Sequence, residues 1–201
     1  MAYLLGVDLG TSSVKTVLMD HHGKLAAICQ QEYTFDIPRE GWAEQDPVVW
    51  WQAAVATIRG ALAQAAVSPD DIDGVGFSGQ MHGLVPLDRQ DQPVRKAIIW
   101  CDARSVDEVE DIRRLLGNER LGEITCNQIG AGFQTASLLW MKKHEPALYE
   151  KTETVLLPKD YLRYRLTGCL STDVTDAAGT LALNVRQAAW SDELIRTLGL
   201  R

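Results

Sequence analysis

Nowhere in the chain do more than two basic residues stand together, and 27 acidic residues outweigh 20 basic ones for a net charge of −7. Nucleic acids and anionic membranes are bound through clustered Lys and Arg, so this composition argues against both partners. Long apolar runs are missing too. None approaches the roughly 20 residues that span a bilayer. Cysteine is sparse: Cys29, Cys101, Cys126 and Cys169 lie far apart, with no Cys-x-x-Cys pair. That spacing suits neither a disulfide framework nor a zinc site. Repeats and low-complexity segments are absent, and the opening Met1-Ala2-Tyr3-Leu4-Leu5-Gly6-Val7-Asp8 has no basic start and meets a carboxylate at once. It does not read as a secretory signal, and a cytoplasmic location is expected.

What is present is a 201-residue chain that is 46% hydrophobic with 16 glycines, enough for one sizeable core or two small ones. Tyr3–Asp8, Val14–Met19 and Leu25–Tyr33 read as a three-strand meander, turned by Gly10–Ser13 and Asp20–Gly23. Asp46-Pro47 is a capped helix start, and Val48, Trp51, Val55, Ile58 and Leu62 form its predicted apolar face. Ile72–Phe77 is the next strand, followed by the turn Ser78-Gly79-Gln80-Met81-His82-Gly83. Leu84–Leu87 and Ala97–Trp100 read as two strands around a polar hairpin at Asp88–Pro93. Further helices are predicted around Val106–Leu116, at Thr135–Lys143 with a stop at Pro146, at Pro158–Leu166 and at Ser191–Leu198, with a short strand at Val155–Leu157. Strands first and alternating α and β elements after predict an α/β domain around a mixed sheet.

The first candidate site is Gly6-Val7-Asp8-Leu9-Gly10-Thr11-Ser12-Ser13-Val14-Lys15. A carboxylate ends an apolar strand, and a glycine with three hydroxyl residues makes the turn. Successive N–H groups in such a turn can face an anion, with a divalent cation between Asp8 and a phosphate and Lys15 adding positive charge. A plain β-hairpin with a turn carboxylate is the equal alternative on these residues alone. Gly-Lys-Ser/Thr is absent, and a strand rather than a helix follows, so neither a Walker loop nor a dinucleotide fingerprint applies.

The segment and its following hairpin resemble the first phosphate-binding segment of the sugar kinase, heat-shock chaperone ATPase and actin superfamily. Trp42-Ala43-Glu44-Gln45-Asp46-Pro47 is similar to the W-x-E-Q-D-P segment of FGGY carbohydrate kinases, and Trp100-Cys101-Asp102-Ala103-Arg104 to their W-x-D-x-R segment. Leu156–Leu162 and Thr172–Thr180 match two more landmarks, while Gly79-Gln80-Met81-His82-Gly83 resembles the turn of the xylulose-phosphorylating members. The matches run in order along essentially the whole chain.

The resemblance implies a ribonuclease H-like (actin/hexokinase-type ATPase) fold, a mixed β-sheet flanked by helices, and transfer of phosphate from ATP to a sugar hydroxyl. By it Asp8 belongs to the Mg2+ shell through water, Gly10, Thr11, Ser12, Ser13 and Lys15 line the phosphates, and Met81 and His82 contact the sugar, D-xylulose at O5 first. Ribulose, gluconate, fuculose and glycerol are alternative acceptors; a non-catalytic nucleotide-binding module and a ribonuclease H-type nuclease are alternative functions. A homodimer is compatible with it. Asp102 and Arg104 read as an ion pair beside the pocket, with hydroxyl binding by Asp102 the other reading; Asp173 and Asp176 read as loop caps. His21, His22 and His144 receive no role. In the family an aspartate near the start of the second half takes the proton from the attacking hydroxyl. No carboxylate here matches it by motif. Residues 1–201 are therefore expected to be an incomplete N-terminal kinase domain, inactive in isolation, with the C-terminal nucleotide-binding domain outside it.

Overall fold

The computed structural model describes residues 2–200. In chain order it runs β1 (Tyr3–Leu9), β2 (Ser13–Asp20), β3 (Leu25–Glu32), β4 (Glu44–Gln45), α1 (Pro47–Ala65), β5 (Ile72–Gly79), β6 (Val85–Leu87), β7 (Ala97–Ile98) and α2 (Val106–Leu116). It continues with α3 (Asn118–Thr125), α4 (Gln134–His144), α5 (Pro146–Lys151), β8 (Thr154–Leu156), α6 (Pro158–Thr167), α7 (Val174–Ala178), β9 (Leu183–Asn184), β10 (Ala189–Trp190) and α8 (Asp192–Thr197). These elements fall into two compact units. One gathers the chain up to Phe35 with Asp46–Gln80 and Pro158–Cys169; the other gathers Asp36–Gln45, Met81–Leu157 and the chain from Leu170.

In the first unit the meander forms as expected and β5 joins it, giving the sheet order β3-β2-β1-β5. β1 runs antiparallel to β2 and parallel to β5, so the sheet is mixed. Alternation along β1 buries Leu5, Val7 and Leu9 on one face and leaves Leu4 and Asp8 exposed on the other. Helices α1 and α6 pack on the sheet and on each other. The Asp46 carboxylate accepts from the Val48 N–H, and Pro47 occupies the first turn of α1 as its sequence predicts.

The face that α1 buries differs from the predicted one. Val48 is exposed and Trp51, Val55, Ile58 and Leu62 are only partly covered, whereas Trp50, Ala53, Ala54, Thr57 and Ala61 are buried. The reason is distance. A helix lying close on β2 and β3 needs small residues beneath its axis beyond the first turn, where Trp50 is fully buried, and the other large apolar side chains flank that seam. Thr57 Oγ1 reaches Thr16 Oγ1 at 2.8 Å, which satisfies two buried hydroxyls across the seam. Ser78 and Gly79 also depart from expectation, continuing β5 rather than opening the next turn. Gly79 sits beside Leu9, where a Cβ would come within 3.1 Å of Leu9 Cβ and 3.2 Å of Lys159 Cβ on α6. Its missing side chain lets α6 approach the sheet.

The second unit is built from helices and two-stranded ribbons. Val109, Ile112, Leu121, Ile124, Ala136 and Leu139 belong to one apolar cluster, and Leu84, Ile98, Leu138, Trp140 and Met141 to another. The expected hairpin between Leu84 and Trp100 is not regular. Leu84 and Ile98 make one bridge, while β6 pairs with β8 and β7 with β4. Local turn chemistry identified the loop, but the better partners lie far along the chain. Pro146, expected only to stop α4, takes the first turn of α5, where its missing N–H costs nothing. Ser191 Oγ caps α8, predicted at Ser191–Leu198, by accepting from the Leu194 N–H. Among the described residues no helix is long and apolar enough to cross a membrane.

Candidate functional site

The glycine-and-hydroxyl turn of the first unit joins β1 to β2. The Gly10 N–H donates to the Ser13 carbonyl at 2.9 Å. Tyr33, which follows β3, donates its N–H to the Ser12 carbonyl at 2.9 Å and its hydroxyl to the Gly10 carbonyl at 2.6 Å. Burial first, then the nearby Asp8 charge, raises the phenol's pKa, so Tyr33 stays a donor. With the carbonyls of Gly10, Ser12 and Ser13 all engaged, less negative potential faces an approaching anion. Ser13 Oγ accepts from Gln30 Nε2 at 3.1 Å.

Asp8 stands opposite Lys15 on β2 and opposite Ser78 on β5, so these three share the exposed face of the sheet. Neither the Asp8 nor the Lys15 side chain makes a hydrogen bond or ion pair with a described residue, leaving a carboxylate and an ammonium available at the strand ends. No group of three His, Cys, Asp or Glu that could cage a metal occurs among the described residues. One carboxylate beside a hydroxyl-lined turn suits Mg2+, which keeps waters and takes phosphate oxygens as ligands.

Met81 and His82 lie in the second unit. Met81 is half exposed. The Gly83 N–H donates to the Met81 carbonyl at 2.7 Å, closing a γ-turn around His82, whose φ of 62° is unusual for a residue with a side chain. His82 Nδ1 lies 2.8 Å from the Gly179 carbonyl oxygen, and its ring stacks on Phe133 with centroids 4.0 Å apart. Desolvation lowers the imidazole pKa, outweighing the Gly179 hydrogen bond and the Asp176 charge that raise it. The Gly83 carbonyl is held in turn by Gln134 Nε2 at 3.1 Å.

Asp102 and Arg104 prove structural. Both side chains are fully buried and paired at 2.8 Å, and Asp102 Oδ2 also accepts from the Ala43 N–H at 2.6 Å. Asp173 caps α7 by accepting from the N–H groups of Thr175 and Asp176 at 3.0 Å each. Three residues escaped the sequence reading: Tyr33, Phe133 and Gly179. Only Gly179 carried a local signal, since it lies inside the Thr172–Thr180 landmark.

A model of the FGGY family of carbohydrate kinases, N-terminal domain, matches residues 3–201. The chain belongs to that family. The xylulose kinase of Bacillus subtilis (strain 168) is 40% identical over 200 residues, covering 100% of this chain and 40% of the relative. That of Lactococcus lactis subsp. lactis (strain IL1403) is 41% identical over 194 residues, covering 96% of this chain and 38% of the relative. The crystal structure of xylulose kinase from Rhodospirillum rubrum superposes with a TM-score of 0.93 at 28% identity, covering 98% of this chain and 41% of that one. This FGGY chain thus spans about 40% of the length of the curated relatives it matches. Its fold is that of the actin/hexokinase-type sugar kinases, as the motifs implied.

Proposed function

We propose that this FGGY chain is the N-terminal part of a cytoplasmic xylulokinase, which transfers the γ-phosphate of ATP to O5 of D-xylulose. The observation that carries the reading is similarity along the whole chain to proteins named xylulose kinase. The Met81-His82 pair supports the choice of sugar within the family.

In this reading the Gly10–Ser13 turn receives the terminal phosphates through its N–H and hydroxyl groups, and Lys15 neutralises charge beside them. Asp8 orients the water shell of Mg2+, and the metal when bound supplies neutralisation of the phosphate charge. Phosphoryl transfer depends mainly on such positioning. Met81 gives an adaptable apolar wall to the sugar, and His82 hydrogen-bonds one of its hydroxyls. The proton acceptor for the attacking hydroxyl and the nucleotide-binding half belong to the remainder of the polypeptide.

Side-by-side turnover of D-xylulose, ribulose, gluconate, fuculose and glycerol by the complete polypeptide tests the assignment; equal kcat/KM values would end it. His82→Ala is expected to raise the D-xylulose KM by about tenfold to a hundredfold and leave the ATP KM nearly unchanged. An unchanged sugar KM removes His82 from the site. Tyr33→Phe deletes the hydrogen bond that holds the Gly10 carbonyl inward. It is expected to raise the ATP KM by about fivefold, the worth of one ordinary hydrogen bond. Steady-state kinetics with ATP varied checks this, with the sugar KM as the internal control.

A further inference from the structure

His82 is held more tightly than contact with a sugar alone requires. A γ-turn with positive φ at a side-chain-bearing residue is strained, and such strain persists only where surroundings over-determine it. The surroundings here are two residues distant in sequence. Phe133 stacks on one face of the imidazole, with an interplanar angle of 28°. The Gly179 carbonyl meets Nδ1 at 2.8 Å. Gly179 has a φ of −69°, open to any residue. The imidazole stands against a side chain there, because a Cβ would lie 2.8 Å from His82 Nδ1 and 3.1 Å from Cε1.

A carbonyl oxygen can only accept, so the hydrogen between these atoms sits on Nδ1. His82 Nε2 makes no hydrogen bond to a described residue. In a neutral ring protonated at Nδ1, Nε2 carries the lone pair and cannot donate.

We propose that Gly179 and Phe133 are positioning residues that lock His82 as the Nδ1–H tautomer, presenting Nε2 as an acceptor that selects a ligand hydroxyl able to donate. The proposal rests on the reading that His82 faces the sugar. It adds a rule of selection: a polyol or ketose hydroxyl fits at this point, whereas a carboxylate or a keto oxygen would meet the lone pair and be rejected. Burial of the ring favours the neutral form this needs. Asp176 is the charged group acting on it, and its carboxylate opposes the effect without reversing it. Since the pKa lies below the ordinary histidine value, the acceptor persists through neutral pH. It is lost only as acidification protonates Nε2.

Histidine-selective 15N labelling of the complete kinase, read by two-bond 1H–15N correlation near neutral pH, tests the tautomer directly. His82, assigned by the signals that vanish in His82→Ala, is expected to carry its proton on Nδ1. Gly179→Ala is expected to disturb that pattern and raise the D-xylulose KM by about tenfold, with the ATP KM within about twofold of the parent. Phe133→Leu keeps apolar volume and removes the stack; a rise of about threefold in the sugar KM is expected. If Gly179→Ala does not fold, Phe133→Leu decides by the same two readouts. A proton on Nε2 in the parent protein overturns the proposal. So does a variant with a disturbed His82 spectrum and an unchanged sugar KM. An unchanged sugar KM in His82→Ala overturns the underlying sugar reading instead, and the tautomer spectrum, recorded without sugar, tells the two failures apart.

Discussion

Replacing Asp8 with asparagine in the complete kinase is expected to lower kcat by about a thousandfold while moving the thermal midpoint by no more than about 2 °C. The two halves of that expectation come from the same geometry. Asp8 is exposed at the end of β1 and its side chain makes no hydrogen bond or ion pair with a described residue, so the fold gains little from its charge. Its register partners are Lys15 and Ser78, which place it at the mouth of the hydroxyl turn rather than against the core. A carboxylate kept there for structure would give the opposite pattern, a lower midpoint with kcat retained. Kinetics at saturating Mg2+ and ATP beside a thermal melt separates these outcomes; full activity in the variant refutes the metal role.

The parts of this site that could be read from sequence are those whose chemistry is local. Asp8 and the Gly10–Ser13 turn are contiguous, and a strand, a glycine and three hydroxyls announce a turn that can face an anion. Asp46-Pro47 specifies its own helix start, and Ser191 its own cap. Periodicity also located α1, but it chose the larger apolar residues, whereas close approach to the sheet selected Ala53, Ala54, Thr57 and Ala61. Pairing between distant segments left no trace that a window could detect. Nothing near Leu84 says that β6 prefers β8, and nothing near Tyr33 says that its hydroxyl will brace Gly10. Phe133 and Gly179 lie 51 and 97 residues along the chain from His82, and neither residue type is diagnostic by itself.

The same limit explains why the W-x-E-Q-D-P and W-x-D-x-R segments read as two separate landmarks. They form one assembly. The Arg104 guanidinium lies 3.8 Å from the Trp42 ring centroid and 4.9 Å from that of Trp140. It pairs with Asp102 at 2.8 Å and Glu44 at 2.7 Å, while Asp102 holds the Ala43 N–H. Arg95 extends the network by pairing with both Glu44 and Glu145. A planar cation packed on two indole rings that meet edge to face, with carboxylates at its edge, is an arrangement lysine cannot reproduce.

Arg104→Met is therefore expected to lose about 3–5 kcal/mol of stability, among the largest effects a single substitution in this chain should have. The cost is not the attraction alone, since forming a buried pair already spends desolvation energy on both ions. It arises because the fully buried Asp102 carboxyl would be left with the N–H groups of Ala43 and residue 104 and no cation beside it. A chain of this size should show the loss as a fall of about 6–20 °C in the thermal midpoint. Arg104→Lys should recover less than half of it, because an ammonium restores charge but neither the stack nor the fork. Pairing Arg104→Met with Asp102→Leu removes both charges and is expected to be less damaging than Arg104→Met alone, the sign of coupling through an orphaned carboxylate. Midpoints from melts of the parent, Arg104→Met, Asp102→Leu and the double variant decide the matter: additive losses would mean that the tryptophans, not the ion pair, hold these two segments together.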